Sequence, residues 1–411
     1  MDKVKKVFGF KEIAVKLAAL AACFAAFAIW HTEAAEEIRS APEAFFAENY
    51  KALYEKASVS FADPIAVAVS ESSDERLGES VTELKLFGIL PARRIPTFVG
   101  ERRELVPGGE AVGVGIHTEG VLVVGLGEEV SGGEASPAAR AGLKAGDVIL
   151  EVNGVRTDTA EELTRALEAS QGSAELTILR GSRKKTLKVS FPDRGEANQL
   201  GIWVRDSTVG IGTLSFVDLN ANRVAALGHS VSDGDTGSSI RVRNGRLRLA
   251  EILGVIKGSE GTPGELQGSF DSNSPEIGTI DRNTELGIFG ELNASSAEYF
   301  AREALPVAFP DEVSTGYAEI ICSCEGLPKR YSCRIVKAGR QSRPAQKGMV
   351  IEITDERLLQ LTGGIVRGMS GSPIIQNGML AGVVTHVFVN DPTRGYGAYA
   401  YWIEKACTPT K

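Results

Sequence analysis

The stretch Gly368-Met369-Ser370-Gly371-Ser372-Pro373 places a serine between glycines near the C-terminal end of the chain. Glycine on either side lets the backbone turn sharply and leaves the hydroxyl clear of bulky neighbours, as a nucleophile requires. The same turn can aim the amides of Gly368 and Ser370 into one small space, the arrangement that stabilises a developing oxyanion. A serine needs a base, and the chain has only His31, His117, His229 and His386 to offer. His229 stands 141 residues upstream of Ser370, in Leu227-Gly228-His229-Ser230, with Asp233 and Asp235 shortly after it. A histidine upstream and a Gly-x-Ser-Gly-x-Pro downstream, both in strand-rich sequence, point to acyl transfer by a serine–histidine pair.

The elements that must hold these groups read as short strands. After Leu200, apolar runs such as Gly212–Phe216 and Ile240–Leu249 alternate with turn signals, Asn244-Gly245 and Asn377-Gly378 among them. This spacing predicts an all-β domain over residues 199–411. Pro192–Asn198 is a polar break that marks its start. Residues 105–191 form a separate module. Ser136-Pro137 caps a short helix ended by Gly142, a strand runs to Asn153-Gly154, and Thr159-Ala160-Glu161-Glu162 is a capping box opening a second helix. A hairpin around Gly181 closes it. Residues 36–104 read as a helix over Ala41–Ala57, a Ser/Asp/Glu-rich linker and leading strands.

Five lysines between Lys3 and Lys16 precede an apolar run from Leu17 to Trp30 and small residues at Ala34-Ala35. This reads as an export signal over residues 1–35, cleaved or retained as a membrane anchor. With a net charge of −8 and basic clusters in acidic company, nothing calls for nucleic acid. No cofactor motif is present, and no cysteine or histidine spacing fits a common zinc pattern. Outside the signal, Cys322, Cys324, Cys333 and Cys407 leave three readings open: a Cys324–Cys333 disulfide across a hairpin, a Cys-x-Cys metal site, or free thiols. A thiol-dependent redox activity is disfavoured by the lack of Cys-x-x-Cys.

The nucleophile loop resembles that of chymotrypsin-like peptidases, and residues 105–191 resemble a PDZ domain of the bacterial peptidase type. The whole of residues 81–405 resembles one family, the stage IV sporulation protein B serine peptidases. Leu227–Asp233, Thr362–Gly378 and Val384–Thr393 carry that resemblance. It implies a mainly β fold with a small α+β PDZ module and a chymotrypsin-like barrel. It further implies an exported endopeptidase acting between forespore and mother cell on the extracytoplasmic part of a membrane-bound regulator. Such an enzyme would trim its own N-terminal region. The family pattern points to Asp355 as the triad acid; Asp281 lies between His229 and Ser370, where chymotrypsin-like chains more often place theirs. Asp355 also suits a helix N-cap. Carried over from the PDZ fold, Val112-Gly113-Val114-Gly115-Ile116 is the expected peptide-binding loop for chain termini. His386, sixteen residues after Ser370, falls on the strand that walls the specificity pocket in such barrels. Met369 replaces the aspartate that serves zymogen activation in trypsin-like enzymes, and Ser372 replaces a glycine. The competing reading is a non-catalytic PDZ adaptor with a peptidase-like β-domain.

Overall fold

The computed structural model describes residues 33–61, 65–71, 80–127, 129–130, 134–191 and 199–408. The export signal and the acidic stretch 72–79 lie outside these residues, apart from Ala34-Ala35, which fall in the helix Glu33–Ser40. Among the described residues no helix is long and apolar enough to cross a membrane.

The chain divides into two units, the first ending at Arg102 and the second holding almost everything after it. The first unit is more ordered than its sequence suggests. Asn49 caps the helix Tyr50–Ser60, while Phe45–Ala47 is a strand pairing parallel with Leu90–Val99. Those two strands, with Ser80–Leu86 and Ile65–Glu71, make a four-stranded sheet. Its core joins Phe45, Leu53, Ala57, Leu84 and Ile95. The described residues between 33 and 99 are thus a folded α+β unit in place of a lone helix, while the Ser/Asp/Glu-rich stretch 72–79 lies outside the described residues. The aromatic spacing that reads as helical is split between a strand and a helix because Asn49 opens the helix only after Ala47.

In the second unit, two long strands, Ala111–Leu126 and Ile202–Asp218, pair antiparallel over most of their length. Each serves two cores. Val112, Val114, Ile116, Leu214 and Val217 pack with Val224, Leu247 and Ile288 in a first β-core. Further along, Val121 and Val123, with Ile202 and Val204 packed against them, belong to a second core with Ile149, Leu163, Leu167, Leu176 and Val189. That second core is the α+β module. Its elements stand where the sequence puts them: Ser136 caps Pro137–Arg140, and Thr159 and Glu162 form the capping box of Ala160–Glu168. The hairpin Ser173–Arg180 with Arg183–Ser190 completes the sheet. The limit expected at 199 therefore falls between two strands, Ala111–Leu126 and Ile202–Asp218, that pair with each other.

Residues 316–399 form a closed six-stranded barrel from Gly316–Glu325, Leu327–Ala338, Met349–Ile353, Asp391–Tyr399, Met379–Phe388 and Pro373–Gln376. Its lining alternates as a half-buried sheet should, with Ile320, Ile335, Ile351 and Val383 fully enclosed. The helix Ala400–Cys407 closes the chain against the strand Met379–Phe388.

Candidate active site

His229 follows the short strand Arg223–Ala226 of the first β-core through a tight turn. Leu227 has φ +76° and the Gly228 amide donates to the Ala226 carbonyl at 3.1 Å, a γ-turn. A leucine pays strain there, and its side chain, buried in the first β-core, holds the turn in place. Gly228 is required next, since a Cβ would lie 2.7 Å from Val383 of the closed barrel. The imidazole Nδ1 is 2.9 Å from the Ser230 carbonyl. A carbonyl only accepts, so Nδ1 carries the proton and Nε2 keeps its lone pair.

Ser370 comes from the closed barrel, on the loop between the helix Glu356–Thr362 and the strand Pro373–Gln376. Three amides of this loop are spoken for: Met369 donates to Val366, Gly371 to Val384 and Ser372 to Met369. Those of Gly368 and Ser370 have no partner among the described residues. Thr213, on the long strand Ile202–Asp218, clamps the loop from the first β-core. Its hydroxyl donates to the Gly368 carbonyl at 2.7 Å and its amide to the Ser370 carbonyl at 3.1 Å. Gly371 has φ +98°, and a Cβ there would meet the Thr213 carbonyl at 2.2 Å. The loop thus needs glycine for two reasons at once. Met369 is fully buried, its sulfur accepting from the Val366 amide, so its role is packing. The Ser372 hydroxyl is buried without a partner.

His229, Gly368 and Ser370 line one cleft of about 290 Å³, with Thr208, Val209 and Ile211 along one side. Within it the Ser370 hydroxyl donates to the Thr385 carbonyl at 2.9 Å. His386, the next residue, lies beside His229 with ring centroids 5.2 Å apart. Burial lowers the His386 pKa, and the neighbouring His229 and Lys347 lower it further. Its Nδ1 is buried without a partner.

Neither candidate acid is hydrogen-bonded to His229. Asp355 caps the helix Glu356–Thr362, accepting from the Arg357 and Leu358 amides, and is ion-paired with Arg357. Burial works against its charge, but the guanidinium and the amides of Leu358 and Ser332 outweigh it and hold the carboxyl below its ordinary value. Asp281 is held by Arg223 in a two-pronged pair. In this structure Asp355 serves as the helix cap and Asp281 as the partner of Arg223, and the group at Nδ1 of His229 is the Ser230 carbonyl.

The expected peptide-binding loop is also corrected. Val112–Ile116 lies inside a long strand paired with Ile202–Asp218 on one side and Val242–Leu249 on the other. Val112, Val114 and Ile116 are buried in the first β-core, and Phe270 covers Gly113. Glycine here permits close packing and leaves no loop amides bare. The edge strand of the PDZ-like sheet is instead Ile202–Arg205, preceded by Leu200-Gly201 with Gly201 at φ +68°. The Gly201 amide has no partner among the described residues. Asp206 ties this strand to the start of the helix Ala160–Glu168 by accepting from the Ala160 amide at 3.0 Å. An edge strand, an adjoining helix and a glycine-bearing entry are the parts from which a peptide groove is made.

The four cysteines are free and buried, with the Cys322 and Cys324 sulfurs 3.3 Å apart. Burial pushes the Cys333 and Cys407 thiols up to about 12, so they are poor thiolates.

The SpoIVB peptidase S55 model matches residues 196–403, and a PDZ domain model matches residues 130–180. The chain belongs to the SpoIVB peptidase S55 family. It is a serine peptidase, with a protein or peptide as substrate. Among solved structures, the Rv3671c protease from M. tuberculosis in its active form is similar at 18% identity, covering 50% of this chain and 76% of that one, with a TM-score of 0.27. An inactive serine-to-alanine mutant of the same protease covers 49% and 84% at 15% identity and a TM-score of 0.25. The PDZ domain of an SdrC-like protein from Listeria monocytogenes covers 21% of this chain and 90% of its own at 21% identity, with a TM-score of 0.18. No curated protein sequence matches the chain.

Proposed function

We propose that the protein is an endopeptidase in which His229 is the general base, Ser370 the nucleophile and the Gly368 and Ser370 amides the oxyanion hole. The observation that carries this reading is the meeting of His229 and Ser370, from two different β-cores, in one cleft with Gly368, where the Gly368 and Ser370 amides have no partner among the described residues. In the resting arrangement Ser370 leans on the Thr385 carbonyl; a side-chain rotation brings its hydroxyl toward Nε2 of His229. His229 then takes the proton as Oγ attacks the scissile carbonyl, and returns it to the leaving amine. Water repeats the cycle on the acyl-enzyme. The Ser230 carbonyl fixes the tautomer that makes this possible, while lacking the full charge with which a carboxylate would stabilise the imidazolium.

His386 stands beside the base and its pKa is lowered by burial, which favours the neutral imidazole, so it can donate to a neutral or acidic side chain of the substrate without bringing a fixed charge. Family membership supports a role in sporulation, in which the exported enzyme cleaves the extracytoplasmic part of a membrane-bound regulator and trims its own N-terminal region. Incubating the full chain with candidate ectodomains, wild type against Ser370→Ala, tests this reading. Cleavage confined to wild type supports it, and identical products from both would discard it.

A further inference from the structure

The long strand Ile202–Asp218 has two edges with different fates. One pairs with Ala111–Leu126 from Ile202 to Thr213. The other pairs with Arg223–Ala226 only from Leu214 onward. From Ile202 to Gly212 no strand covers that second edge among the described residues. Such an edge offers a row of backbone donors and acceptors to any extended chain. It carries no lysine or proline, its charged residues Arg205 and Asp206 are tied to Asp233 and to the Ala160 amide, and it exposes Trp203 and Val209, at 62% and 75% of their surface. Its middle is tied to the start of the helix Ala160–Glu168 through Asp206, and its far end, Thr208–Ile211, forms one side of the cleft that holds His229 and Ser370. The PDZ-like groove and the catalytic cleft are therefore two ends of one strand edge.

We propose that the substrate is an extended polypeptide that adds to this edge as an antiparallel strand. Its C-terminal carboxylate is received at the entry Leu200–Trp203, and its scissile bond lies in the cleft at the other end. This rests on the peptidase reading above and gives it a ruler. From Ile202 to Ile211 the edge spans about 30 Å at roughly 3.3 Å per residue, so the cut falls on the order of ten residues before the anchored C-terminus. Register shifts near Trp203 and Asp206 bend the edge locally and make this spacing specific to the chain. An extended polypeptide is favoured over a folded partner because the cleft at the far end must admit a single strand to reach Ser370.

The test uses a degenerate library of peptides about 25 residues long with free C-termini. It is incubated with the full chain, with Ser370→Ala as background, and the cut positions are read by mass spectrometry. The proposal expects cuts clustered at one distance from the C-terminus, a cluster that drops at least tenfold when the library is C-terminally amidated. Backbone N-methylation of a cleaved peptide between cut and terminus should suppress the same cluster. Hydrolysis of a small activated ester, which needs only His229 and Ser370, is followed in parallel. Cuts spread without regard to the C-terminus, with ester hydrolysis intact, would overturn the ruler while leaving the peptidase reading standing.

Discussion

At the scale of single residues, the cleft distinguishes groups that do chemistry from groups that support it. Replacing His229 or Ser370 by alanine should each lower peptide turnover by roughly 10⁴-fold or more, since such residues act as a unit. Circular dichroism should show an unchanged fold. Asp355→Ala should behave differently. It removes a helix N-cap, so the expected loss is about 1 kcal/mol of stability in denaturant titration, with kcat close to wild type. A thousandfold fall in kcat for Asp355→Ala would restore it as the acid. His386 gives a pH signature. Its pKa is lowered in the fold, by burial first and by the neighbouring His229 and Lys347 second. As pH falls below the ordinary value of 6.5, the unfolded chain takes up this proton before the folded one does, and stability declines until the lowered folded value is passed. The melting temperature of wild type should therefore fall more steeply between about pH 7.5 and 5.5 than that of His386→Asn.

At the scale of elements, two turns deliver the site, and both depend on close approach between the β-cores. Gly371→Ala puts a methyl group against the Thr213 carbonyl at a left-handed φ, and should abolish activity and lower stability by more than about 1 kcal/mol. Thr213→Val removes the hydroxyl that holds the Gly368 carbonyl, and should cost about 1–2 kcal/mol and reduce kcat more than it raises KM. Much of this was legible beforehand. Gly368–Pro373 and Leu227–Ser230 announced themselves because turn chemistry is local, and the capping box and Ser136-Pro137 helix were readable for the same reason. The glycines of Val112–Ile116 misled because glycine marks close packing as often as it marks a bare loop, and only pairing partners distant in sequence separate the two. Thr213 and the free edge carried no local signal. Their roles come from what the fold leaves covered or uncovered.

At the scale of the molecule, the two shared strands make the PDZ-like module and the first β-core one structure. A chain beginning at residue 199 lacks the strand Ala111–Leu126 and with it Val112, Val114 and Ile116 of that core. It should fail to fold, whereas residues 103–411 should unfold in calorimetry as one cooperative transition. Two separate transitions would argue that the shared strands do not couple the cores. On the proposed mechanism, the fold brings His229 and Ser370 together to activate a serine. Covalent labelling by a fluorophosphonate probe, located by peptide mass spectrometry, tests it most directly. The modification should fall on Ser370 in wild type and be lost in His229→Ala. Labelling of Ser370 at an undiminished rate in folded His229→Ala, or labelling at another serine, would contradict it.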